Sequence, residues 1–402
     1  MKNLGWLAVA LLSLAACKEE PHYTLTGEFP GMPDGLKVYL RSERLGDERS
    51  VDSTVTSGGR FVLTGKVDDP RFCSLEIERR DARKSYPKTQ EVWVENADIR
   101  LTCPWDSLEY NDAAVTGSAS QDLFDAHYRN IEPLQKQYNE LYGDYMMEYG
   151  QYAYTGIFKP EYTAKGLEIA RRQREIHHRI RVLEKKFVKA NPASVVSLKV
   201  LSDILRSSGE MTAEEAEGLM GTLDPALQQA AVYPAVKKQL EAYRKTAKGE
   251  KFMDFSVVDA DGKEGRFSDY FQPGKYNLLE CWASWCGPCR AEIPHLKHVH
   301  RKYGEEFNII AVSVDEKDAD WKKALQEEQP GYLQFRNIRD AGGKRVHDYY
   351  RFSGIPYTLL LDGEGRIVAQ GVRGAGLDLM LAELLGEKAK GQEMVEEQMA
   401  KE

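Results

Sequence analysis

Residues 277–290 read NLLECWASWCGPCR, an apolar run that leads into two cysteines and then into a helical pattern. The first of the pair, Cys286, falls where the helix begins, and the free N–H groups and dipole of a helix N-terminus stabilise a thiolate there. The second, Cys289, lies one turn inward and can close a small disulfide ring. Pro288 fits the first helical turn, where its missing N–H costs nothing. The stretch therefore predicts a redox-active cysteine pair at a strand-to-helix junction.

Strand and helix patterns alternate around this stretch, over residues 246–386. Apolar runs at 277–282 and 307–314 predict buried strands, each followed by a helical pattern. Residues 356–361 and 366–370 predict a hairpin. Strands that alternate with helices predict an α/β domain containing parallel strands.

Two stretches within 248–374 carry a resemblance to a known family. They are CWASWCGPCRAEIP at 281–294 and GIPYT at 354–358. The segment resembles the thioredoxin superfamily and, within it, the TlpA/ResA-like thiol–disulfide oxidoreductases. The resemblance implies a thioredoxin-like fold and an enzyme that exchanges disulfides with protein thiols, and no cofactor is expected.

The resemblance also implies roles for residues around the cysteines. In the family, the proline that matches Pro356 is in cis, faces the disulfide and helps to hold the substrate backbone. We expect Ile355, which precedes it, to belong to the same substrate-binding surface. Trp285 and Pro288 are expected to shape the docking groove beside it.

Two carboxylates accompany the cysteine pair. Glu280 interrupts an apolar strand, where a carboxylate is costly to bury without a role. It matches the buried acid of thioredoxin, which implies proton exchange with Cys289; the alternative is a carboxylate paired with a lysine. Glu292 lies one helical turn after Cys289 and matches a glutamate of the ResA-like branch, which implies redox tuning; the alternative is a solvated helix residue. Having both acids is unusual, so one of them could be idle.

A zinc half-site is the other chemistry open to a Cys-x-x-Cys pair. His295, His298 and His300 follow on the same helix, but we expect them on its outer part, pointing away from the cysteines. The sequence holds no second Cys-x-x-Cys. We therefore expect no metal site.

The six cysteines of the 402-residue chain are too few for a disulfide scaffold. On a strand, Cys281 points away from the face that carries Glu280, so we expect an inert buried thiol. Cys73 and Cys103 lie in a β-rich segment, where they form either a structural disulfide or two buried free thiols.

That β-rich segment spans residues 17–117. Short runs with alternating apolar residues predict several strands, and Gly58-Gly59 between two of them predicts a hairpin turn. Strands at this spacing indicate an all-β sandwich or barrel.

Residues 118–245 change to a helical period. Tyrosines recur at positions 138, 142, 145, 149 and 152, and a second apolar row runs from Ile176 to Phe187. Each row lies on one face of its own helix, so the two helices could pack as a hairpin. The tyrosines are either core residues or an aromatic surface for partner proteins. The charged tail, 387–402, is expected to fray.

The first residues predict export and a lipid anchor. Lys2 is followed by the apolar run 4–16, which is too short to span a bilayer and has the shape of a secretory signal peptide. The small residues directly before Cys17 resemble a bacterial lipobox, so we expect residues 1–16 to be removed and Cys17 to be lipidated. The alternatives are an unmodified secreted protein and a transmembrane anchor. The expected location is the cell envelope, facing the periplasm, and an acidic flank after Cys17 is compatible with surface exposure.

Composition limits the partners. The net charge of −8 provides no basic excess, which argues against nucleic acid. The Gly-Pro dipeptide between the cysteines is that of thioredoxin, a reductant with a potential of about −270 mV. We therefore predict an envelope reductase that takes electrons from a membrane thiol carrier and reduces protein disulfides, such as those of apocytochromes c. The alternatives are a partner-recruiting scaffold lipoprotein and a peroxiredoxin-like peroxidase.

Overall fold

The computed structural model describes residues 22–42, 50–79, 86–145, 163–207, 210–352 and 354–386. The predicted signal peptide, Cys17, the tail 387–402 and two of the tyrosines, Tyr149 and Tyr152, lie outside these ranges. Two compact units are present, Met1–Asp122 and Leu123–Glu402. Within the described ranges, no helix is both long and apolar enough to cross a membrane.

The first unit is a β-sandwich. Its strands are β1 Tyr23–Glu28, β2 Lys37–Ser42, β3 Ser50–Val55, β4 Arg60–Gly65, β5 Arg71–Ile77, β6 Lys88–Val94, β7 Asp98–Thr102 and β8 Ala114–Thr116. They form two sheets with the orders β4-β1-β7-β8 and β3-β2-β5-β6. Alternate residues of both sheets, such as Leu25 and Leu75, are buried in one shared core. Of the two predicted architectures, the sandwich is therefore the one observed.

The turn at Gly58-Gly59 has the predicted tight geometry but does not join two strands of one sheet. Both glycines have positive φ angles, 62° and 72°, which a glycine adopts without steric cost. Ser57 and Arg60 exchange backbone hydrogen bonds across them. Beyond this bridge β3 pairs with β2 while β4 pairs with β1. The turn therefore passes the chain from one sheet to the other, and the prediction of a simple hairpin is wrong.

No disulfide joins Cys73 to Cys103 in the described part of the chain, so the predicted possibility of one is wrong for this structure. Cys73 lies in β5, whereas Cys103 follows β7 of the other sheet. Facing sheets are separated by about 10 Å, whereas a disulfide needs Cα atoms about 4.4–6.8 Å apart. Membership of one core is therefore not enough to bring the two sulfurs together.

The helical segment begins with a helix hairpin. Its helices are α1 Ala119–Tyr145, α2 Ala164–Ala190, α3 Val195–Ser207, α4 Ala213–Gly221 and α5 Tyr233–Arg244. The predicted apolar rows of α1 and α2 pack together, with Leu134 and Ile176 in the same cluster. Tyr138 and Tyr145 pack against this cluster, whereas Tyr142 is 50% exposed at the edge of the row. The tyrosines within the described part of the row are therefore mainly packing residues.

The C-terminal part is a thioredoxin-like α/β domain. Its strands are β9 Ser256–Val258, β10 Glu264–Arg266, β11 Tyr276–Trp282, β12 Phe307–Ser313, β13 Leu333–Asn337, β14 Tyr357–Leu361 and β15 Ile367–Gln370, and its helices are α6 Gly287–Tyr303, α7 Asp318–Glu328, α8 Val346–Tyr350 and α9 Ala375–Leu385. The sheet order is β10-β9-β13-β12-β11-β14-β15. Strand β11 is parallel to β12 and antiparallel to β14. The strand that leads to the cysteines is therefore enclosed on both sides.

Each face of this sheet has its own core. Leu278 and Trp282 of β11 belong to a cluster that also holds Cys286 and Cys289. Leu279 and Cys281 belong to the cluster on the opposite face, together with residues of α8. Because side chains alternate along a strand, Glu280 faces the cluster that contains the cysteine pair.

Candidate active site

The cysteine pair lies where β11 gives way to α6. Cys286 is the N-cap of α6, and its Sγ accepts a hydrogen bond of 3.2 Å from the backbone N–H of Cys289. The two sulfurs are joined in a disulfide with a Cα–Cα distance of 5.3 Å. Pro288 occupies the first turn of the helix, as its residue type predicts. The free N–H groups of this helix end are therefore available to stabilise a thiolate on Cys286 once the disulfide is reduced.

The two sulfurs differ in access to solvent. Cys289 is completely buried, whereas Cys286 is 5% exposed. Trp285, directly before Cys286, is 70% exposed. A large exposed aromatic side chain beside the accessible sulfur is suited to contact another protein. The geometry favours Cys286 as the atom that a partner reaches first.

The loop opposite the disulfide contains a cis peptide bond between Ile355 and Pro356. The carbonyl oxygen of Ile355 lies 3.9 Å from the Sγ of Cys286. The structure thus brings residues 355 and 356 to the cysteine pair, although about 70 positions separate them in the sequence. The cis-proline loop therefore lies directly beside the sulfur of Cys286.

Asp315 anchors the loop that precedes the cysteines. Its carboxylate accepts hydrogen bonds from the backbone N–H and the hydroxyl of Ser284, at 2.8 and 2.6 Å, and from the hydroxyl of Ser313. It is only 4% exposed. Asp315 was not predicted from the sequence, although a carboxylate two residues beyond a buried strand was a usable signal. It fixes the approach to Cys286 from a neighbouring strand.

Glu280 is a buried carboxylate without a hydrogen-bond partner among the described residues. Its side chain is 1% exposed, and neither oxygen is bonded. Burial, and then the negative charge of Glu292, raise the pKa of Glu280 to about 8. The nearby Tyr332 acts in the opposite direction, but its hydroxyl is not in hydrogen-bonding geometry with Glu280. The alternative of a lysine-paired strand carboxylate is not observed.

Glu292 has the opposite environment. One of its oxygens accepts a hydrogen bond of 2.7 Å from the backbone N–H of Gly374 and lies 2.9 Å from Nδ1 of His295. Burial acts to raise the pKa of Glu292, but the His295 contact, Gly374 and the charge of Arg373 outweigh it and lower the pKa. The alternative of a solvated helix residue is therefore not observed. The two acids of the site are driven towards different protonation states.

His295 is not on the outer part of its helix, so that expectation is wrong. It is 2% exposed, and its Nε2 lies 2.8 Å from a carboxylate oxygen of Asp378. Burial acts to lower the pKa of His295, but hydrogen bonds and charges of Asp378 and Glu292 raise it to about 10. The i,i+3 spacing of Glu292 and His295 was visible in the sequence. Asp378 gave no signal, because it reaches the site from α9.

The histidines do not complete a metal site with the cysteines in the described part of the chain. No group of three or more His, Cys, Asp and Glu side chains there is arranged to hold a metal ion. Both ring nitrogens of His295 contact carboxylates. The ring of His300 lies against Tyr332, and burial lowers the pKa of His300.

Cys281 lies on the other face of the sheet. It is completely buried, and burial, followed by the charge of Glu280, raises its pKa well above the usual value. A thiol in that state is a poor nucleophile. Its position favours the predicted structural role.

The comparisons with known proteins match two parts of the chain. A family model described as the AhpC/TSA family matches residues 248–370, and a model described as a domain of unknown function, DUF4369, matches residues 23–124. The thiol–disulfide oxidoreductase ResA of Bacillus thuringiensis is 30% identical over 138 residues, which is 34% of this chain and 76% of that protein. The ResA of Bacillus anthracis is 33% identical over 30% of this chain and 68% of its own length.

The chain belongs to the ResA-like thiol–disulfide oxidoreductases. Two solved structures are each similar to about a third of the chain. The thioredoxin domain of a thiol–disulfide oxidoreductase from Bacteroides vulgatus is 30% identical, covering 35% of this chain and 99% of that domain, with a TM-score of 0.32. A thiol:disulfide interchange protein from Bacteroides sp. is 31% identical, covering 34% of this chain and 89% of that one, with a TM-score of 0.32. The match to the family model places the oxidoreductase domain of this ResA-like enzyme at residues 248–370.

Proposed function

We propose that this ResA-like enzyme reduces protein disulfides in the cell envelope through Cys286 and Cys289. The Cys286 thiolate attacks a substrate disulfide, and one substrate sulfur leaves as a thiolate that takes up a proton. Cys289 then attacks the Sγ of Cys286 in the mixed disulfide and releases the second substrate thiol. Two electrons pass to the substrate, and the pair ends as the disulfide.

Glu280 supplies the proton step in this proposal. Cys289 is buried and must lose its proton before it attacks, and Glu280 faces the same cluster from β11. The ionised form of Glu280, a minor fraction at neutral pH because its pKa is about 8, accepts that proton, and the resulting acid is stable at that pH. The acid returns the proton to Cys289 when an electron donor reduces the disulfide.

The difference between the two sulfurs carries the proposal. Cys286 caps a helix N-terminus beside an exposed tryptophan and a cis-proline loop, whereas Cys289 is sealed from solvent. A nucleophile has to be reached by its substrate, and a resolving thiol has to be protected from it. This asymmetry supports Cys286 as the attacking thiol and Cys289 as the resolving thiol.

Trapping tests the assignment. In Cys289→Ser the mixed disulfide on Cys286 cannot be resolved, so substrate proteins should accumulate as adducts that mass spectrometry identifies. Cys286→Ser is the matched control and should give none. An absence of Cys286 adducts in cells that express Cys289→Ser would overturn the reductase.

The direction of transfer is tested by titration against glutathione. A midpoint near the thioredoxin value of about −270 mV is expected, whereas one near about −120 mV, as for a strong oxidant, would reverse the proposed direction.

The substrate class that we propose comprises envelope proteins with misoxidised cysteines, including apocytochromes c before haem attachment. Electrons come from a membrane thiol carrier, and lipidation of Cys17 holds the enzyme near it. Cys17→Ala should move the enzyme from the membrane fraction to the soluble fraction, with retention in the membrane as the contrary result. Loss of holo-cytochrome c in a deletion strain, restored by the wild-type chain but not by Cys286→Ser, would support the cytochrome substrate.

A hydroperoxidase is the second candidate, favoured by the AhpC/TSA match over residues 248–370. In that reaction a Cys286 thiolate would be oxidised to a sulfenic acid by hydroperoxide, and Cys289 would condense with it to the disulfide. Stopped-flow mixing of the reduced enzyme with hydrogen peroxide separates the candidates. Oxidation of the pair by peroxide faster than by a protein disulfide would replace the reductase with the peroxidase.

A further inference from the structure

His295 forms a bridge between two helices beside the cysteine pair. Its Nδ1 lies 2.9 Å from Oε1 of Glu292 on its own helix, and its Nε2 lies 2.8 Å from Oδ2 of Asp378 on α9. Carboxylate oxygens accept hydrogen bonds, and a neutral imidazole donates only one. The geometry therefore fits an imidazolium that donates to both carboxylates.

A second contact, besides the one with His295, holds the carboxylate of Glu292. The backbone N–H of Gly374, at the N-terminus of α9, donates to the same Oε1 at 2.7 Å. Glu292 is thus held between α6 and α9, with the cation of His295 on one side. A carboxylate with these partners keeps its negative charge although it is partly buried.

Glu292 acts in turn on Glu280. Its negative charge is the second cause, after burial, that raises the pKa of Glu280 to about 8. Other ionisable or polar groups also act on Glu280, Glu292 or His295 from the surrounding elements: Cys281, Tyr332, Arg373 and Asp378. Because His295 contacts Glu292 directly, removal of His295 is expected to affect the charge of Glu292, and to affect Glu280 only through Glu292.

We propose that His295 is a positioning residue: held by Asp378, it keeps Glu292 as a fixed anion, so that Glu280 alone exchanges the proton of Cys289. The two acids then have separate tasks, one a permanent charge and the other a proton carrier. The inference rests on the proposed function, because it assumes that Cys289 exchanges a proton with Glu280.

The test titrates Glu280 directly in the oxidised full-length enzyme, where the disulfide-bonded cysteines do not titrate. Carbon-13 labelling of glutamate carboxyl groups reports each titration by NMR, and the Glu280 signal is the one missing from Glu280→Gln. The variants are His295→Leu, Glu292→Gln and the double variant. His347→Leu is the matched control, because His347 also contacts a carboxylate, that of Asp348, but is 45% exposed on α8.

Glu292→Gln removes the neighbouring charge, so the Glu280 midpoint should fall below its wild-type value of about 8. His295→Leu should lower it as well, because Glu292 without its cation takes up a proton. The double variant should match Glu292→Gln, and His347→Leu should match the wild type. A midpoint unchanged in His295→Leu, or shifts that add in the double variant, would overturn the role of His295.

Asp378→Asn provides a second test in case His295→Leu does not fold. It keeps an oxygen that can accept from Nε2 but removes one charge, so a smaller fall in the Glu280 midpoint is expected, and no fall contradicts the inference. A purely structural role predicts lower stability with an unchanged Glu280 midpoint. If Glu280→Gln reduces protein disulfides as fast as the wild type, the proton step of the proposed function fails, whatever the titrations show.

Discussion

Glu280, which is buried, and Glu292, which is partly buried, are two carboxylates near the disulfide-bearing face of one sheet, yet their surroundings drive their pKa values apart. Glu280 on β11 has no hydrogen-bond partner among the described residues, and its pKa rises to about 8. Glu292 on α6 is bonded by His295 and Gly374, and its pKa falls. Loss of solvation acts to raise the pKa of both carboxylates, so their partners decide the direction.

This difference shows how one site can hold two acids without making one of them redundant. A carboxylic acid that titrates near neutral pH exchanges protons efficiently, whereas a paired carboxylate supplies a constant field. An excess of carboxylates around a cysteine pair is therefore resolved by their partners, which the local sequence does not specify.

Replacing the unpartnered acid should have the largest effect. Glu280→Gln should slow resolution of the mixed disulfide by about 100-fold, the lower end for loss of general acid–base catalysis. The measurement is single-turnover release of substrate thiol, with Glu292→Gln for comparison. An equal or larger loss in Glu292→Gln would invert the assignment of the two acids.

Glu280 should also make stability depend on pH. Its pKa is raised from 4.5 in the unfolded chain to about 8 in the fold, so the native state binds one more proton between these values and stability falls as pH rises through them. The fall totals about 5 kcal/mol for a shift of this size. Urea unfolding from pH 5 to pH 9 should show this loss in the wild type and not in Glu280→Gln; equal slopes for both chains would contradict it.

Glu292 should also make stability depend on pH, but the change should be smaller than for Glu280 and should run in the opposite direction with pH. Glu292→Gln removes charge-assisted hydrogen bonds and should cost about 2 kcal/mol at pH 7. Because the folded pKa of Glu292 is lowered, the stabilisation that it provides is present above its unfolded pKa and is lost as pH falls through the folded one. Urea unfolding at pH 7 and pH 4 measures this. If Glu292→Gln were as stable as the wild type at pH 7, the partners of Glu292 would not stabilise its charge, and the difference from Glu280 would be contradicted.

The residue after Glu280 gives a control on the other face of the sheet. Cys281→Ala should lose about 1 kcal/mol of stability, an average cost for a core substitution, and should keep disulfide reduction unchanged. In the wild type, alkylation at pH 8 should spare Cys281 until denaturant is added, because the thiol is completely buried. Alkylation of Cys281 in the native state would show that burial does not protect this thiol from reaction.

The smallest effect is expected at Tyr332. Its hydroxyl acts to lower the pKa of Glu280 without bonding to it, so Tyr332→Phe should raise the Glu280 midpoint slightly. The reductase rate should change by less than about threefold, under 1 kcal/mol. A tenfold loss would mean that the hydroxyl is a hydrogen-bond partner during turnover, and Glu280 would then resemble Glu292.

Local patterns were enough to predict much of the fold. Alternating apolar residues predicted several strands over residues 17–117, where the structure has β1 to β8, and the apolar row from Ile176 to Phe187 predicted a helix that is observed as α2. These features depend on contacts within a few residues, such as alternation along a strand and helix periodicity.

Contacts between residues far apart in the sequence were predicted wrongly or were not predicted. Cys73 and Cys103 share a core but lie in different sheets, so their sulfurs do not bond. Ser284 meets Asp315 across 31 positions and His295 meets Asp378 across 83. No periodicity spans such separations, because they are set by the sheet order and by the packing of α9 against α6.

The sequence by itself determined the chemistry available to this protein: a cysteine pair at a helix N-terminus and a carboxylate in an apolar strand. These follow from residue type and spacing, which fix the thiolate-stabilising helix end and the face of the strand. The tertiary structure decided how the acids behave. Whether a buried carboxylate holds a proton depends on which donors and charges reach it from other elements, and only the folded chain brings Gly374 and Asp378 to that end of α6.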